Sequence, residues 1–281
     1  MGGFVYETHL HTRQASACGV SRGADYVRRY QDAGFTGIMV TDHFFNSNTT
    51  VDRRKSWSEW VKGFCSGYED ARNEGEKRGL DVFFGWEETF DGDDYLIYGL
   101  DKAWLLEHPE MIRWTRKEQA REVRRSGGCV VHAHPFRQHS YIDTIHLAPH
   151  FVDAIEAANK GNHDAIYDAQ ALEYARILGL PAVAGSDIHH ADDLPGQAPF
   201  GIEVETRFAS AADYAALILN KGSIKLRIPP GRCDFRRTGD KPLLLPVEIR
   251  DSNDRTSGPR RMTFNEAAEQ LAFSAVGKKA G

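Results

Sequence analysis

The sequence predicts an α/β protein built as a single barrel of strands ringed by helices. Short apolar runs alternate with helical stretches along most of the chain, an order that predicts parallel strands. The 281 residues, 41% of them hydrophobic, suffice for one full core and match the usual length of a single α/β barrel. Where an open doubly wound sheet carries a glycine-rich phosphate loop after its first strand, this chain has His9-Leu10-His11 instead.

The predicted strands fall at 4–6, 37–42, 81–87, 95–99, 129–135, 153–157, 181–187 and 200–205, each rich in Val, Ile, Phe, Tyr or Ala. Between them lie helical stretches at about 23–33, 58–78, 115–126, 164–178 and 210–221. Ser56 with Glu59, and Thr115 with Glu118, have the spacing of a capping box. Gly34, Gly79, Gly127, Gly179 and Gly222 fall where helical runs stop, as a left-handed C′ position favours. Trp57, Trp60, Phe64 and Tyr68 recur at helical spacing and read as a core-facing stripe. From about residue 226 prolines interrupt every long element until a helix near 263–275. Residues 1–225 are therefore expected to form the barrel and 226–281 a C-terminal extension. The extension carries +4 against −9 for the rest, which fits packing on the barrel, with a loosely ordered terminal extension as the equal alternative.

Net charge and cysteine usage narrow the class of partner. A balance of −5 argues against long-range attraction to nucleic acid but permits a short anionic substrate. Cys18, Cys65, Cys129 and Cys233 form no CxxC pair, and no charged-then-apolar leader precedes the first strand, so a reducing cytoplasm is expected. No stretch has the roughly 20 apolar residues of a membrane span, and Tyr6 stands where a myristoylation motif needs Ser or Thr.

Chemistry concentrates at the ends of the apolar runs. His9 and His11, two residues apart at the end of a strand, point to one face and suit a shared ion. Thr41-Asp42-His43, Gly85-Trp86-Glu87-Glu88, His132-Ala133-His134-Pro135 and Gly185-Ser186-Asp187-Ile188-His189-His190 each end a later run. Loops at the carboxyl ends of barrel strands converge on one rim, which gathers His9, His11, His43, Glu87, His134, Asp187 and His189. Glu87 ends a markedly apolar strand, where a carboxylate without a cation is costly. His132, two residues before His134, reads as an outer hydrogen-bond partner of the ligands, and Asp42 as a support for His43 or the turn after it.

The motifs HxH, TDH, GxE, HP and GSDxH, in this order over residues 4–225, resemble the PHP family, named for its polymerase and histidinol phosphatase members. The resemblance implies a distorted (β/α)7 TIM-like barrel, two or three divalent metal ions (manganese, zinc or iron) and phosphoesterase activity. It implies that His9, His11 and Asp187 hold one ion, that Glu87 bridges to a second held by His134, and that His43 and His189 hold a third. Glu87 rather than Glu88 fits because it stands two residues after Gly85. Two positions depart from the family. Ser16-Ala17-Cys18-Gly19 lacks the carboxylate or imidazole that many members have there, leaving Cys18 as the only comparable donor, and Asp94 replaces a histidine at the second site, which favours a hard ion. Arg137 is placed to neutralise phosphoryl oxygens and Asp187 to handle protons, with Lys160, Asn162 and His163 as further substrate contacts. The expected reaction is hydrolysis of a small phosphomonoester or nucleotide. Histidinol-phosphate hydrolysis, amidohydrolase-type cleavage of a C–N bond and a noncatalytic metal-binding module are the alternatives.

Overall fold

The computed structural model describes residues 2–194, 200–234 and 243–277. In chain order the elements are β1 (Phe4–Glu7), α1 (Gly23–Asp32), β2 (Gly37–Val40), α2 (Trp57–Phe64), α3 (Ser66–Arg78), β3 (Asp81–Phe90), β4 (Asp93–Tyr98), α4 (Lys102–Glu107), α5 (Arg116–Arg125), β5 (Cys129–His132), β6 (Ile145–Leu147), β7 (Ala154–Asn159), α6 (Ala165–Leu178), β8 (Ala182–Gly185), β9 (Gly201–Val204), α7 (Ala211–Leu219), β10 (Lys225–Arg227), β11 (Val247–Ile249) and α8 (Phe264–Gly277). Nine strands make one sheet in the order β10-β9-β1-β2-β3-β4-β5-β7-β8, and β8 curls back against β9, so the sheet nearly closes into a barrel. Tyr6, Met39, Phe83, Leu96, Val131, Val183 and Ile202 fill its interior, while Phe84, Trp86, Tyr95 and Val130 face the helices outside.

The expectation of parallel strands holds for β1-β2-β3 and β5-β7-β8 but fails around β4 and β9. β4 runs antiparallel to both β3 and β5, because Asp91 and Gly92 (φ 55° and 84°) close a two-residue hairpin between Phe90 and Asp93. A turn with both central residues at positive φ matches strand twist and returns the chain beside itself. β9 likewise pairs antiparallel with β1 and β10.

The helix expected over 58–78 is broken at Cys65 into α2 and α3, where the Ser66 hydroxyl donates to Gly63 O at 2.6 Å. Both expected capping boxes are present. Trp60 and Phe64 are fully buried, as the core-facing stripe requires. Gly34, Gly79, Gly127 and Gly179 take positive φ, whereas at the end of α7 the left-handed residue is Lys221 rather than Gly222. The short helix α4 and the strands β6, β10 and β11 were not expected from the sequence.

The segment after β10 joins the rest through both charge and apolar contact. β11 pairs with β6, and α8 packs against α6 with Phe264 and Leu271 fully buried. Arg116, 3% exposed, pairs with Asp91 and Asp254, and Arg250 reaches Asp91 and Glu248. Among the described residues no helix is long and apolar enough to cross a membrane.

Candidate metal centre

Backbone pairing continues past the strand ends and draws the predicted loops together. Asp187 N donates to His9 O at 2.8 Å and His11 N to Ile188 O at 3.0 Å, so the loops after β1 and β8 are laced to each other. Thr41 N donates to Leu10 O, Glu87 N to Asp42 O and Phe44 N to Glu87 O, which ties in the loop after β2 and the upper half of β3. β4 begins at this rim because it runs the other way, and that brings Asp94 to the site from a strand start. Gly185 is required where the loops cross: a Cβ there would lie 2.5 Å from His9 Cβ and 2.7 Å from Glu156 Oε1. His134 (φ 29°) and Asp187 (φ 55°) both occupy the left-handed region without being glycine. Such backbone costs on the order of 1–3 kcal/mol per residue and collects where a side chain must be aimed.

The aimed side chains form three overlapping groups, His9–Glu87–His134, His9–His11–Asp187 and His11–His43–His189, in each of which one ligand atom per residue lies within 4.8 Å of the others. Glu87 is central. Its Oε1 faces His9 Nε2 at 3.3 Å and His134 Nε2 at 3.5 Å, and its Oε2 faces His11 Nε2 at 3.3 Å and His43 Nδ1 at 2.8 Å. Asp187 Oδ1 lies 3.4, 3.1 and 3.9 Å from the Nε2 atoms of His9, His11 and His189. Asp94 stands at the edge, with Oδ1 accepting from the Thr89 hydroxyl at 2.6 Å and Oδ2 3.9 Å from His134. All eight predicted ligands thus reach one site, with Asp94 outside the three tight groups.

The donor set fits divalent cations. His9 and His11 face each other through Nε2 atoms 3.1 Å apart, while their Nδ1 atoms are taken by Glu156 (2.9 Å) and the Ser16 hydroxyl (3.1 Å). Two ring nitrogens in that position repel unless a proton or a metal lies between them. His43 Nδ1 and Glu87 Oε2 are buried 2.8 Å apart without a well-formed hydrogen bond, which leaves both free to ligate cations.

Charge on the imidazoles follows from the same packing. Burial alone would depress His9, but Glu156, Asp187 and Glu87 outweigh it and hold the ring well above its ordinary value; His43 is raised in the same way, chiefly by Glu87. Burial would raise Glu87 and Asp187, yet His43 and His9 in one case, and His9 and Arg137 in the other, hold both well below the usual carboxylate range. A metal must displace the protons on these rings. Affinity for manganese or zinc is therefore expected to rise with pH above the ordinary imidazole value of about 6.5, with proton release visible by calorimetry in buffers of different ionisation heat. Binding that is independent of pH and buffer would contradict this account of the rings.

Glu88 is the counterexample beside Glu87. It is fully buried on the outer face of β3, its Oε2 has no partner, and burial pushes its carboxyl up to about 8. In the unfolded chain the ordinary value is 4.5, so between the two the folded state keeps a proton that the unfolded state releases. Stability consequently falls as pH rises through this window, by about 1.4 kcal/mol for each pH step of one within it. Glu88→Gln is expected to raise the thermal midpoint at about pH 8.5, with the gain vanishing near pH 5; an equal gain at both would show that the carboxyl does not titrate this way.

The ligands rest on carboxylates and hydroxyls that sequence reasoning did not single out. Glu156 accepts from His9 Nδ1, His134 N and Asn159 Nδ2, and Glu7 accepts from His9 N, Ser186 N and the Tyr30 hydroxyl. Both lie in strands that otherwise read as apolar, and an isolated carboxylate in such a run was the available signal. Asp42, expected to support His43 or cap its turn, accepts from Thr12 N and from the hydroxyls of Thr12 and Ser16, and the Ser16 hydroxyl in turn reaches His11 Nδ1 and accepts from His43 N. Cys18, against His43 and His189, is lowered to about 6: burial opposes ionisation, but hydrogen bonds with the two imidazoles outweigh it.

His132 turns away from the site. Its Nε2 lies 2.7 Å from Asp93 Oδ2 and its ring stacks on Tyr95, on the outer face of the sheet. It is therefore not the outer partner of the ligands expected from the sequence: His132 pairs with Tyr95 at the end of β5 and shares its outward face, and the backbone turns to positive φ at His134. Arg137 lies at the site. Its Nη1 is 2.8 Å from Asp187 Oδ2, its Nε donates to Asn162 Oδ1 at 2.9 Å and its Nη2 to Asn159 Oδ1 at 2.7 Å. Asn162 is thus a support for Arg137, while Lys160 bonds Asp193 O and His163 packs edge-on to Tyr167. A cavity of about 520 Å³ opens over the centre, lined by Cys18, His43, Glu87, Asp94, His134, Arg137, Tyr141, Asp187 and His189.

A rim of imidazoles and carboxylates around Glu87, at the open end of a nearly closed barrel, defines a barrel with a candidate metal centre. Its fold is that of a PHP-like structure: a two-domain protein from Bacteroides vulgatus, described as containing a predicted PHP-like metal-dependent phosphoesterase, matches with a TM-score of 0.59 and 17% identity over 80% of this chain. The chain spans 65% of that protein's length. A protein of Bifidobacterium adolescentis provisionally named a metal-dependent phosphoesterase matches at TM-score 0.48 and 15% identity, covering 78% of this chain and 96% of that one. An amidohydrolase from Chromobacterium violaceum, with bound sulfate and no metal, matches at 0.46 and 15%, covering 66% and 87%. No protein-family model matches the chain, and no curated protein matches it.

Proposed function

We propose that this chain is a metal-dependent phosphoesterase that hydrolyses a small phosphate ester, a phosphomonoester or nucleotide. The observation that supports it is the division of Glu87, one oxygen toward His9 and His134 and the other toward His11 and His43, inside a cavity that also holds an arginine. On this reading His9, His11 and Asp187 hold one ion, His134 and Asp94 a second bridged through Glu87, and His43 and His189 a third. Manganese, zinc or iron would supply an activated water and neutralise charge on the attacking and leaving oxygens.

The chain's own residues supply position and charge. Three of the five guanidinium N–H groups of Arg137 are engaged by Asn162, Asn159 and Asp187, which leaves two for phosphoryl oxygens. Asp187, held as a carboxylate by His9 and Arg137, is the base available to orient an attacking water. The cavity is of the size that takes one small molecule.

The test is phosphate release from a panel of monoesters and diesters by protein reloaded with manganese or zinc. Release that disappears on chelation supports the proposal. A folded, metal-loaded protein that releases no phosphate from any of them sinks it, and release of amine from amides instead reassigns the centre to C–N hydrolysis.

A further inference from the structure

We infer that Asp168, backed by Arg232, is a positioning residue that fixes the plane of the Arg137 guanidinium, so that the segment after β10 takes part in the site. The inference rests on the proposed function, in which Arg137 meets the phosphoryl group, and goes beyond it by assigning what aims that arginine.

Two asparagines carry the argument. Asn162 Oδ1 accepts from Arg137 Nε at 2.9 Å, while its Nδ2 donates to Asp168 Oδ1 at 2.7 Å. Asn159 Oδ1 accepts from Arg137 Nη2 at 2.7 Å and from Gly161 N at 2.7 Å, and its Nδ2 donates to Glu156 Oε2 at 2.9 Å. A guanidinium only donates and a carboxylate only accepts. Each amide, set between one of each, therefore has a single orientation, because the flipped form would turn NH2 against N–H and oxygen against oxygen. Gly161 leaves the room this needs: a Cβ there would lie 2.9 Å from Arg137 Nη2.

Asp168 holds both asparagines. It is fully buried in the first turn of α6, where Oδ1 accepts from Asn162 Nδ2 and, at 3.2 Å, from Asn159 N, and Oδ2 accepts from Arg232 Nε. A carboxylate so placed needs a cation beside it. Arg232 comes from the turn after β10, where its backbone N donates to Pro229 O at 3.2 Å. Its Nη2 donates to Asn162 O at 2.6 Å, and its guanidinium lies over the Phe200 ring, 5.6 Å from the centroid. The ion pair and the loop from Asn159 to Asn162 thus form one rigid backing for Arg137.

Asp168→Asn keeps the size but can offer NH2 to Asn162, which frees that amide to flip and Arg137 to turn. At saturating manganese, kcat for phosphate release is expected to fall about 10- to 100-fold, with metal content unchanged and KM little altered. The same substitution made in Arg137→Lys should cost almost nothing further, since both changes remove one interaction. Arg232→Ala, at a partly exposed position, should reproduce the loss at smaller size and serves if Asp168→Asn does not fold. A readout free of substrate is the NMR signal of the Arg137 Nε–H, assigned by its disappearance in Arg137→Lys. In the unaltered chain it should be protected from exchange with water, and Asp168→Asn should speed that exchange at least about tenfold. Unchanged kcat with unchanged exchange, or a loss that adds in full to that of Arg137→Lys, overturns the inference and leaves the functional reading standing. No phosphate release from the unaltered chain overturns the functional reading, and the exchange measurement then still decides whether Asp168 aims Arg137.

Discussion

Glu87→Gln is expected to strip the chain of two metal positions at once and to lower turnover roughly 10³-fold or more. The size follows from the two-sided contact of this carboxylate: each oxygen addresses a different pair of imidazoles. Bound ions contribute several kcal/mol to a hydrolytic transition state, at tenfold per 1.4 kcal/mol. The amide keeps the shape but loses the charge that holds His43 and His9 in place. Elemental analysis of the folded variant should show the loss, and circular dichroism should show that the barrel persists. Wild-type metal content in Glu87→Gln would remove Glu87 from the centre. Glu88→Gln, one residue on, is the matched control and should keep its metals, because Glu88 lies on the opposite face.

Arg137→Lys is expected to lower kcat/KM by about 10²–10³-fold while metal content under saturating metal stays unchanged. A lysine carries the charge but not the planar fork, and here the fork is held at three points by Asp187, Asn159 and Asn162. A point charge on a flexible stem cannot keep those bonds and still present N–H groups to a phosphoryl oxygen. The loss should be larger in kcat than in KM, because the charge it neutralises develops in the transition state. Wild-type activity in Arg137→Lys would show that Arg137 only braces Asp187 and touches no substrate.

Much of this site was legible because ligand spacing and strand ends coincide. His9, His11, His43, Glu87, His134, Asp187 and His189 each close an apolar run, and the structure draws all of them to one rim. What failed did so for local reasons. Alternation of apolar runs with helices implied parallel strands, yet Asp91-Gly92 between two such runs is a hairpin signal, and it makes β4 antiparallel. His132 was expected to back the ligands because it stands two residues before His134, but β5 ends at His132 and its ring faces outward onto Asp93 and Tyr95. Glu7 and Glu156 were hidden by their apolar neighbours, although between them they hold His9, the backbone of His134 and the backbone of Ser186. The pairing of β11 with β6 was not legible either, since strands of three residues among prolines carry too little pattern to place.

The claim on which everything else depends is that Glu87 lies between two cations. Anomalous diffraction from crystals of the manganese-loaded protein tests it most directly. Two peaks about 3.5–4 Å apart, one beside His9, His11 and Asp187 and the other beside His134 and Asp94 with Glu87 between them, are predicted. A single peak, or peaks that leave Glu87 untouched, would contradict the account.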